Sequence, residues 1–453
     1  MKKDVIKKYL YESLRLWVVI CSFVFTYNEA WGFEIDGISY SLSGSTVRIT
    51  GCDFSIKEIV LPDSVEYNGK KYPVTEMANK AFAQHSNLEK IKLPESIISI
   101  GYKCFANCTS LKKMEIPSNV ESIGESCLEG CKSLEELVVP FVGIEKSPQG
   151  PSKNTLLGTL FGTRECDGCI KTEQRFRFDR NSEIIEIFYI PEKLSKVTVT
   201  GNSNLYYTFS SCGNIKEINI RNASLIGEKC FYYCASLKKL EISSDVESIR
   251  EGCLKGCKSL EELVVPYVGT EKNPQGPSKN TLLGALFGTD RCDGCIKTEQ
   301  RFRSDRNSET LVISYIPEKL SRVTVTGNSN LYYTFSSCGN IKEINIRNAS
   351  LIGERTFYRC SGLTNLNLPE TLTAIGDRIF DGCSSLTSVT FPESLNSFGD
   401  NCFQGWSGLT SLTLPDSLTT IKSYAFSGCS GLTSLTLPES LTTIESFAFK
   451  GCI

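Results

Sequence analysis

Residues 409–431 read LTSLTLPDSLTTIKSYAFSGCSG, and residues 432–453 repeat them almost word for word as LTSLTLPESLTTIESFAFKGCI. Leu409, Leu412 and Leu414 fall on one side of an alternating pattern and Ser411 and Thr413 on the other, as a half-buried strand requires. Pro415 ends that strand because it has no N–H to give to a ladder. Leu418 and Ile421 return to the interior, and Ala425 with Phe426 closes the coil. Aligned on this motif, units start at Leu88, Leu111, Leu134, Leu194, Ile215, Leu237, Leu260, Leu320, Ile341, Leu363, Leu386, Leu409 and Leu432, and Ile56 starts one more. A unit of this length cannot bury its apolar face alone; it does so by stacking on its neighbours. The expected fold is a strand-dominated leucine-rich repeat solenoid of about 14 coils with a parallel sheet along one face. At the roughly 4.8 Å strand spacing, that makes a body on the order of 65 Å long.

The LxxLxLP strand, the LPxSLxxI centre and the AFxGC turn together resemble the BspA-like leucine-rich repeat family of bacterial surface proteins. FEIDGISYSL and YNGKKYPVTEMANKAFAQHSNLEKIKLP resemble the N-terminal segment of its secreted members. The resemblance covers nearly all of residues 33–453 and implies an adhesin or host-interaction role, which periodicity alone does not show. Residues 33–80 are expected to cap the solenoid that occupies 81–453.

Lys2, Lys3, Lys7 and Lys8 precede an apolar run from Leu16 to Phe25, and Ala30-Trp31-Gly32 follows. A basic start, an apolar stretch too short to span a bilayer and a small-x-small site predict a signal peptide over residues 1–32, cut before Phe33. The mature chain is then secreted or held at the cell surface, with no transmembrane helix. Lipidation at Cys21 is disfavoured by Ile20, where a small residue is wanted. The net charge of −2, without like-charge blocks, predicts no nucleic-acid partner.

Residues 125–230 recur at 251–356 with about 16 of 106 positions changed. In each copy 60 residues separate strand starts where about 23 suffice, so an island is expected to loop out at about 141–192 and 267–318. Each contains an apolar LLG[TA]LFG segment, and the first contains IIEIFYI, which reads as a strand. Loops this long are candidates for binding, against a plain hairpin packed on the outside.

Of 21 cysteines, ten share one column of the repeat with His85 and Trp406, and five share a column with Ala81, Ala425 and Ala448. Columns that accept such substitutes select for fit, so these fifteen read as small buried hydrophobes. Cys166-Asp-Gly-Cys169 and Cys292-Asp-Gly-Cys295 lie in the islands and read as local disulfide staples, with redox or metal binding as the lesser alternatives. A shared zinc site is disfavoured because the islands are expected to be about five strands, roughly 24 Å, apart.

The single histidine, the absence of G-x-S-x-G, P-loop and H-E-x-x-H motifs, and the alternation of Glu and Lys on strand faces argue against catalysis, metal and cofactor. The outward strand positions are instead the expected binding face. They change from a mixed-charge half, including Lys90, Lys92, Lys113, Glu115, Lys239 and Glu241, to a hydroxyl half, including Thr387, Thr390, Ser411, Thr413, Ser434 and Thr436. Charge suits a complementary protein and hydroxyls suit glycans or protein backbone. The expected partner is an extracellular protein or glycan of a host or neighbouring cell. The alternative is a spacer or surface-layer scaffold without a specific ligand. The last coil, ending at Gly451-Cys452-Ile453 without a polar cap, adds a reading of end-to-end self-association.

Overall fold

The computed structural model describes residues 32–452, apart from 145, 147, 149, 178–181, 202–203, 273, 304–307 and 328–329. The expected signal peptide thus lies almost wholly outside the described residues. The chain winds as a strand-dominated solenoid whose only helices among the described residues are four short 3-10 turns.

Strand starts a repeat apart are brought side by side, so one wide parallel sheet of nine strands runs from Lys113–Glu115 to Asn365–Asn367. Its register is in phase from coil to coil: Glu136 faces Lys113 on one side and Lys196 on the other, and Leu137 faces Met114 and Val197. Leucines therefore stack on leucines inside, and charges stack on charges outside. A second ladder of short strands, such as Ser99–Ile100 and Ser122–Ile123, closes each coil opposite the sheet. In phase with the repeat, Leu409, Leu412, Leu414, Leu418 and Ile421 are all buried.

Each turn needs two left-handed residues. In one coil these are Lys103 and Asn107, at φ 51° and 62°; in another they are Tyr424 at 56° and Gly428 at 75°. Glycine meets the second requirement without steric cost, which is why AFxGC recurs. Behind the turns a phenylalanine stack runs through the core: Phe357, Phe380, Phe403, Phe426 and Phe449 follow one another at ring separations of 4.7–5.8 Å.

The solenoid runs to about 17 turns, not the 14 coils counted from the motif. Strands Ile38–Ser43 and Thr46–Cys52 stack ahead of the leucine-rich coils, with Thr46–Cys52 pairing in parallel with Lys70–Met77. The islands also differ from a simple loop-out. In the first, the apolar segment forms the 3-10 turn Leu157–Leu160, which takes the place of the coil's own turn: Ser126 and Leu128 donate their N–H groups to the carbonyls of Thr159 and Leu160. The remaining residues make the antiparallel hairpin Cys169–Arg177 with Glu183–Pro191, packed over that turn through Phe176 and Phe188 against Leu156 and Tyr207. The second copy repeats this with Leu283–Leu286 and the hairpin Cys295–Arg303 with Glu309–Pro317.

Gln174 holds the first hairpin in place. It is fully buried; Gly158 N–H donates to its Oε1 at 2.6 Å, and its Nε2 donates to the carbonyls of Thr208 and Ser210 at 3.0 and 3.1 Å. One side-chain amide thus stands in for a peptide group between two coils. Gln300 repeats the role with Gly284 and Thr334. The islands follow sheet strands four spacings apart, about 19 Å at 4.8 Å each, somewhat closer than the five-strand separation read from the sequence.

Candidate recognition surface

The outward side chains of the sheet divide into a mixed-charge half laced by ion pairs and a hydroxyl half that has none among the described residues. In the mixed-charge half, Lys113 sits 3.7 Å from Glu115 and 3.6 Å from Glu136, and Lys90 lies 3.9 Å from Glu58. Further along, Lys239 meets Glu262 at 3.2 Å, and Arg322 bridges Glu262 and Glu343 at 3.7 and 4.0 Å. In-phase stacking produces these ladders, because opposite charges fall directly across from each other on neighbouring strands. Glu241 is exposed on the same face, two residues from Lys239.

In the hydroxyl half Thr387, Thr390, Ser411, Thr413, Ser434 and Thr436 are exposed. Ser411 and Thr413 face Ser434 and Thr436 across a parallel pair. These four side chains, and Thr387, Ser388 and Thr390, have no intramolecular hydrogen-bond partner among the described residues.

The sheet ladder is broken in two places, and a trough opens at each. No ladder joins Lys90–Lys92 to Lys113–Glu115, and there a trough of about 700 Å³ is floored by Ile91, Leu93, Ile116 and Val138 and rimmed by charged side chains. It brings together four of the expected binding residues, Lys90, Lys92, Lys113 and Glu115, while Lys239 and Glu241 stand apart on the continuous sheet. At the second break, residues 388–390 pair with neither neighbouring strand, and a trough of about 360 Å³ collects Thr390, Ser411 and Thr413 beside Glu393 and Pro415.

The islands supply features that the outward-position rule missed. Ile184, Ile185 and Ile187 of the first hairpin and Leu311 and Ile313 of the second are exposed. Alternation within IIEIFYI marks some of these positions as outward once the strand is placed. Cys166–Cys169 and Cys292–Cys295 are disulfides at the hairpin bases, each with Cα atoms 5.4 Å apart. Among the described residues no group of three or more His, Cys, Asp or Glu side chains is placed to hold a metal ion.

The one arrangement with the outline of a nucleophile and base is Cys52, whose Sγ lies 3.4 Å from Nδ1 of His85. Burial, helped by the Asp53 carboxylate, pushes the Cys52 thiol up to about 12, and burial holds His85 below its ordinary value. Both groups are neutral at pH 7, so the contact is a hydrogen bond and not a thiolate–imidazolium pair.

The remaining cysteines among the described residues are free thiols, all buried except the half-buried Cys452, and several in the first column also make hydrogen bonds. Cys108, Cys131, Cys234 and Cys257 donate S–H to the carbonyls of Phe82, Phe105, Phe209 and Phe231 in the preceding coil, at 3.0–3.2 Å. Trp406, in the same column, donates Nε1–H to the Leu386 carbonyl. Beside the burial expected of this column, several of its residues thus also donate to backbone; Cys212 instead accepts from Gln174, and Cys338 donates within its own coil to Ser336.

A stacked parallel sheet with an open outward face and two troughs on that face is the build of a leucine-rich repeat solenoid. A model of the BspA type leucine rich repeat region matches the chain in six copies over residues 50–148, 174–272 and 331–453. The chain belongs to that BspA-type leucine-rich repeat family. Among solved structures it is similar to a leucine-rich repeat protein from Bacteroides ovatus, at 20% identity over 91% of this chain and 96% of that one, with a TM-score of 0.29. It is also similar to a leucine rich cell surface protein from Faecalibacterium prausnitzii, at 19% identity over 92% and 95%, TM-score 0.29. A third is a leucine-rich repeat protein from Eubacterium ventriosum, at 18% identity over 92% and 94%, TM-score 0.27. No curated protein matches the chain. No helix among the described residues is long and apolar enough to cross a membrane.

Proposed function

We propose that this chain is a secreted or cell-surface interaction protein of adhesin type, exported by its N-terminal segment, that binds an extracellular protein or glycan without catalysis. The observation that carries this reading is the pair of troughs opening on the outward sheet face where the ladder breaks. Elsewhere on the sheet the strands are hydrogen-bonded to each other; at the breaks, backbone edges and side chains are left for a partner. The cell-surface description of the Faecalibacterium relative is consistent with export. The charged trough, with an apolar floor and both signs of charge on its rim, suits a protein segment of matching charge. The islands add a second surface through their exposed isoleucines.

The test is saturable binding of residues 33–453 to an array of extracellular matrix proteins, mucins and glycans. It is run beside a variant altered in the charged trough, Lys90→Ser with Lys113→Ser. Binding that weakens only in the variant places the ligand on that trough. A correctly folded protein that binds nothing on the array removes the adhesin reading and leaves a spacer.

A further inference from the structure

We infer that the two island hairpins are a self-association surface, through which a second copy of this chain pairs side by side with the first, like hairpin against like hairpin. The inference goes beyond the ligand-binding reading above and concerns the hairpins alone.

In the first hairpin Thr172, Gln174, Phe176 and Phe188 turn inward and are buried. Strand alternation therefore turns Lys171, Glu173, Arg175 and Arg177 outward as a charged row. On the partner strand it turns Ile185 and Ile187 outward, between Glu183 and Tyr189. Cross-strand register sets Glu173 beside Ile187 and Arg175 beside Ile185. The second hairpin repeats the face, with Glu299 beside Ile313 and Arg301 beside Leu311. All four aliphatic side chains are exposed.

The two copies differ at four positions of these strands. Three lie on the inward side, where Thr310, Val312 and Ser314 stand in place of Ile184, Glu186 and Phe188. The fourth, Leu311 for Ile185, keeps an apolar side chain outward. The packing side has drifted while the outward side has held its chemistry, the reverse of what a face bathed only in water would show.

The order of charges names the occupant. Laid on a copy of itself turned end for end, the face sets Glu173 across from the second copy's Arg175, Arg175 across from its Glu173, and Ile185 across from its Ile187. Glu299 and Arg301, and Leu311 and Ile313, match in the same way. A two-fold axis makes this arrangement, and an isologous contact needs such a self-complementary patch. The one like-charge match, Lys171 with Arg177, falls at the ends of the face, where Glu183 stands beside Arg177. Nine residues make each strand about 30 Å long, and two strands with their side chains are about 10 Å wide, so a hairpin offers roughly 300 Å². Two hairpins engaged at once bury about 1,200 Å² over both copies, the lower end of specific interfaces, which sets a reversible dimer of micromolar affinity.

The experiment is sedimentation equilibrium of residues 33–453 from about 1 to 300 µM, where such a dimer is expected to form and dissociate. The pair Glu173→Arg with Glu299→Arg, and separately the pair Arg175→Glu with Arg301→Glu, each put like charges across the centre of the face. Each variant alone is expected to dimerise at least about tenfold more weakly than the parent. Mixed in equal amounts they set Arg across from Glu again at both central positions, so the mixture is expected to recover the parent's affinity within about threefold. All four positions face away from the solenoid, and unchanged melting temperatures would show that it is intact. A parent that stays monomeric throughout, variants that dimerise as well as the parent, or a mixture that does not recover overturns the inference. None of these outcomes touches the reading of the troughs, which rests on ligand binding.

Discussion

Replacing Gln174 with leucine tests how the island is fastened to the solenoid. Four hydrogen bonds disappear, to Gly158 N–H, to the carbonyls of Thr208 and Ser210, and to Sγ of Cys212 at 3.5 Å. The Thr208 carbonyl keeps a second donor, Leu157 N–H at 3.0 Å, so the orphaned groups are the Gly158 N–H and the Ser210 carbonyl. Two buried unsatisfied groups at roughly 1–3 kcal/mol each, partly offset by the apolar side chain, cost about 3 kcal/mol. Coils interact mainly with their neighbours, so the loss falls on the first hairpin and the turn beneath it and not on the whole stack. Hydrogen exchange read by mass spectrometry should show protection of 169–177 and 183–191 falling about a hundredfold, with residues 32–120 unchanged. Gln300→Leu provides an internal scale, because the Thr334 carbonyl also keeps a second donor, Leu283 N–H, and only the Gly284 N–H is stranded. Its hairpin should lose about tenfold. Equal protection in Gln174→Leu and the parent protein, or a loss spread evenly over all coils, would refute the account.

Three further outcomes follow from the same geometry. Gly158→Ala places a Cβ about 2.2 Å from the Phe188 ring, so it should lift the first hairpin and show the exchange pattern of Gln174→Leu. Lys239→Glu sets three carboxylates in line with Glu217 and Glu262 across adjacent strands and should lower stability by about 0.5–1 kcal/mol at pH 7. Thermal melts should show that deficit shrinking below pH 4 as the carboxylates protonate. The buried thiols give an alkaline dependence. Burial pushes Cys429 up to about 12 and raises Cys104, Cys127 and Cys230 further. Unfolded thiols ionise near 8.5, so above that pH the unfolded chain sheds protons that the folded chain keeps. Stability should be fully present below about pH 8 and decline as pH rises from 9 toward 12. At pH 8 native protein should resist alkylation that denatured protein undergoes at the buried free cysteines; fast native labelling of Cys131 or Cys234 would contradict their burial.

The amino-acid sequence by itself determined the repeat and therefore the fold. Leu409, Leu412 and Leu414 alternate with Ser411 and Thr413 in a period that strand geometry imposes locally, and a dozen recurrences leave one way to bury the leucines. The character of the outward face was legible for the same reason, since each outward residue follows from its place in the strand. Tertiary structure alone decided what depends on residues far apart in the chain. LLGTLFG reads as a loop segment, yet it becomes a coil turn because Ser126 and Leu128 need acceptors there. Nothing in the motif marks Gln174, yet its amide finds Gly158 and Ser210 once the hairpin folds back. The cysteine column reads as volume, yet thiols such as Cys108 and Cys131 meet a carbonyl 26 residues earlier. The two ladder breaks that open the troughs leave no mark in the motif, because register and splay between strands are set by how neighbouring coils pack and not by the residues of either coil alone.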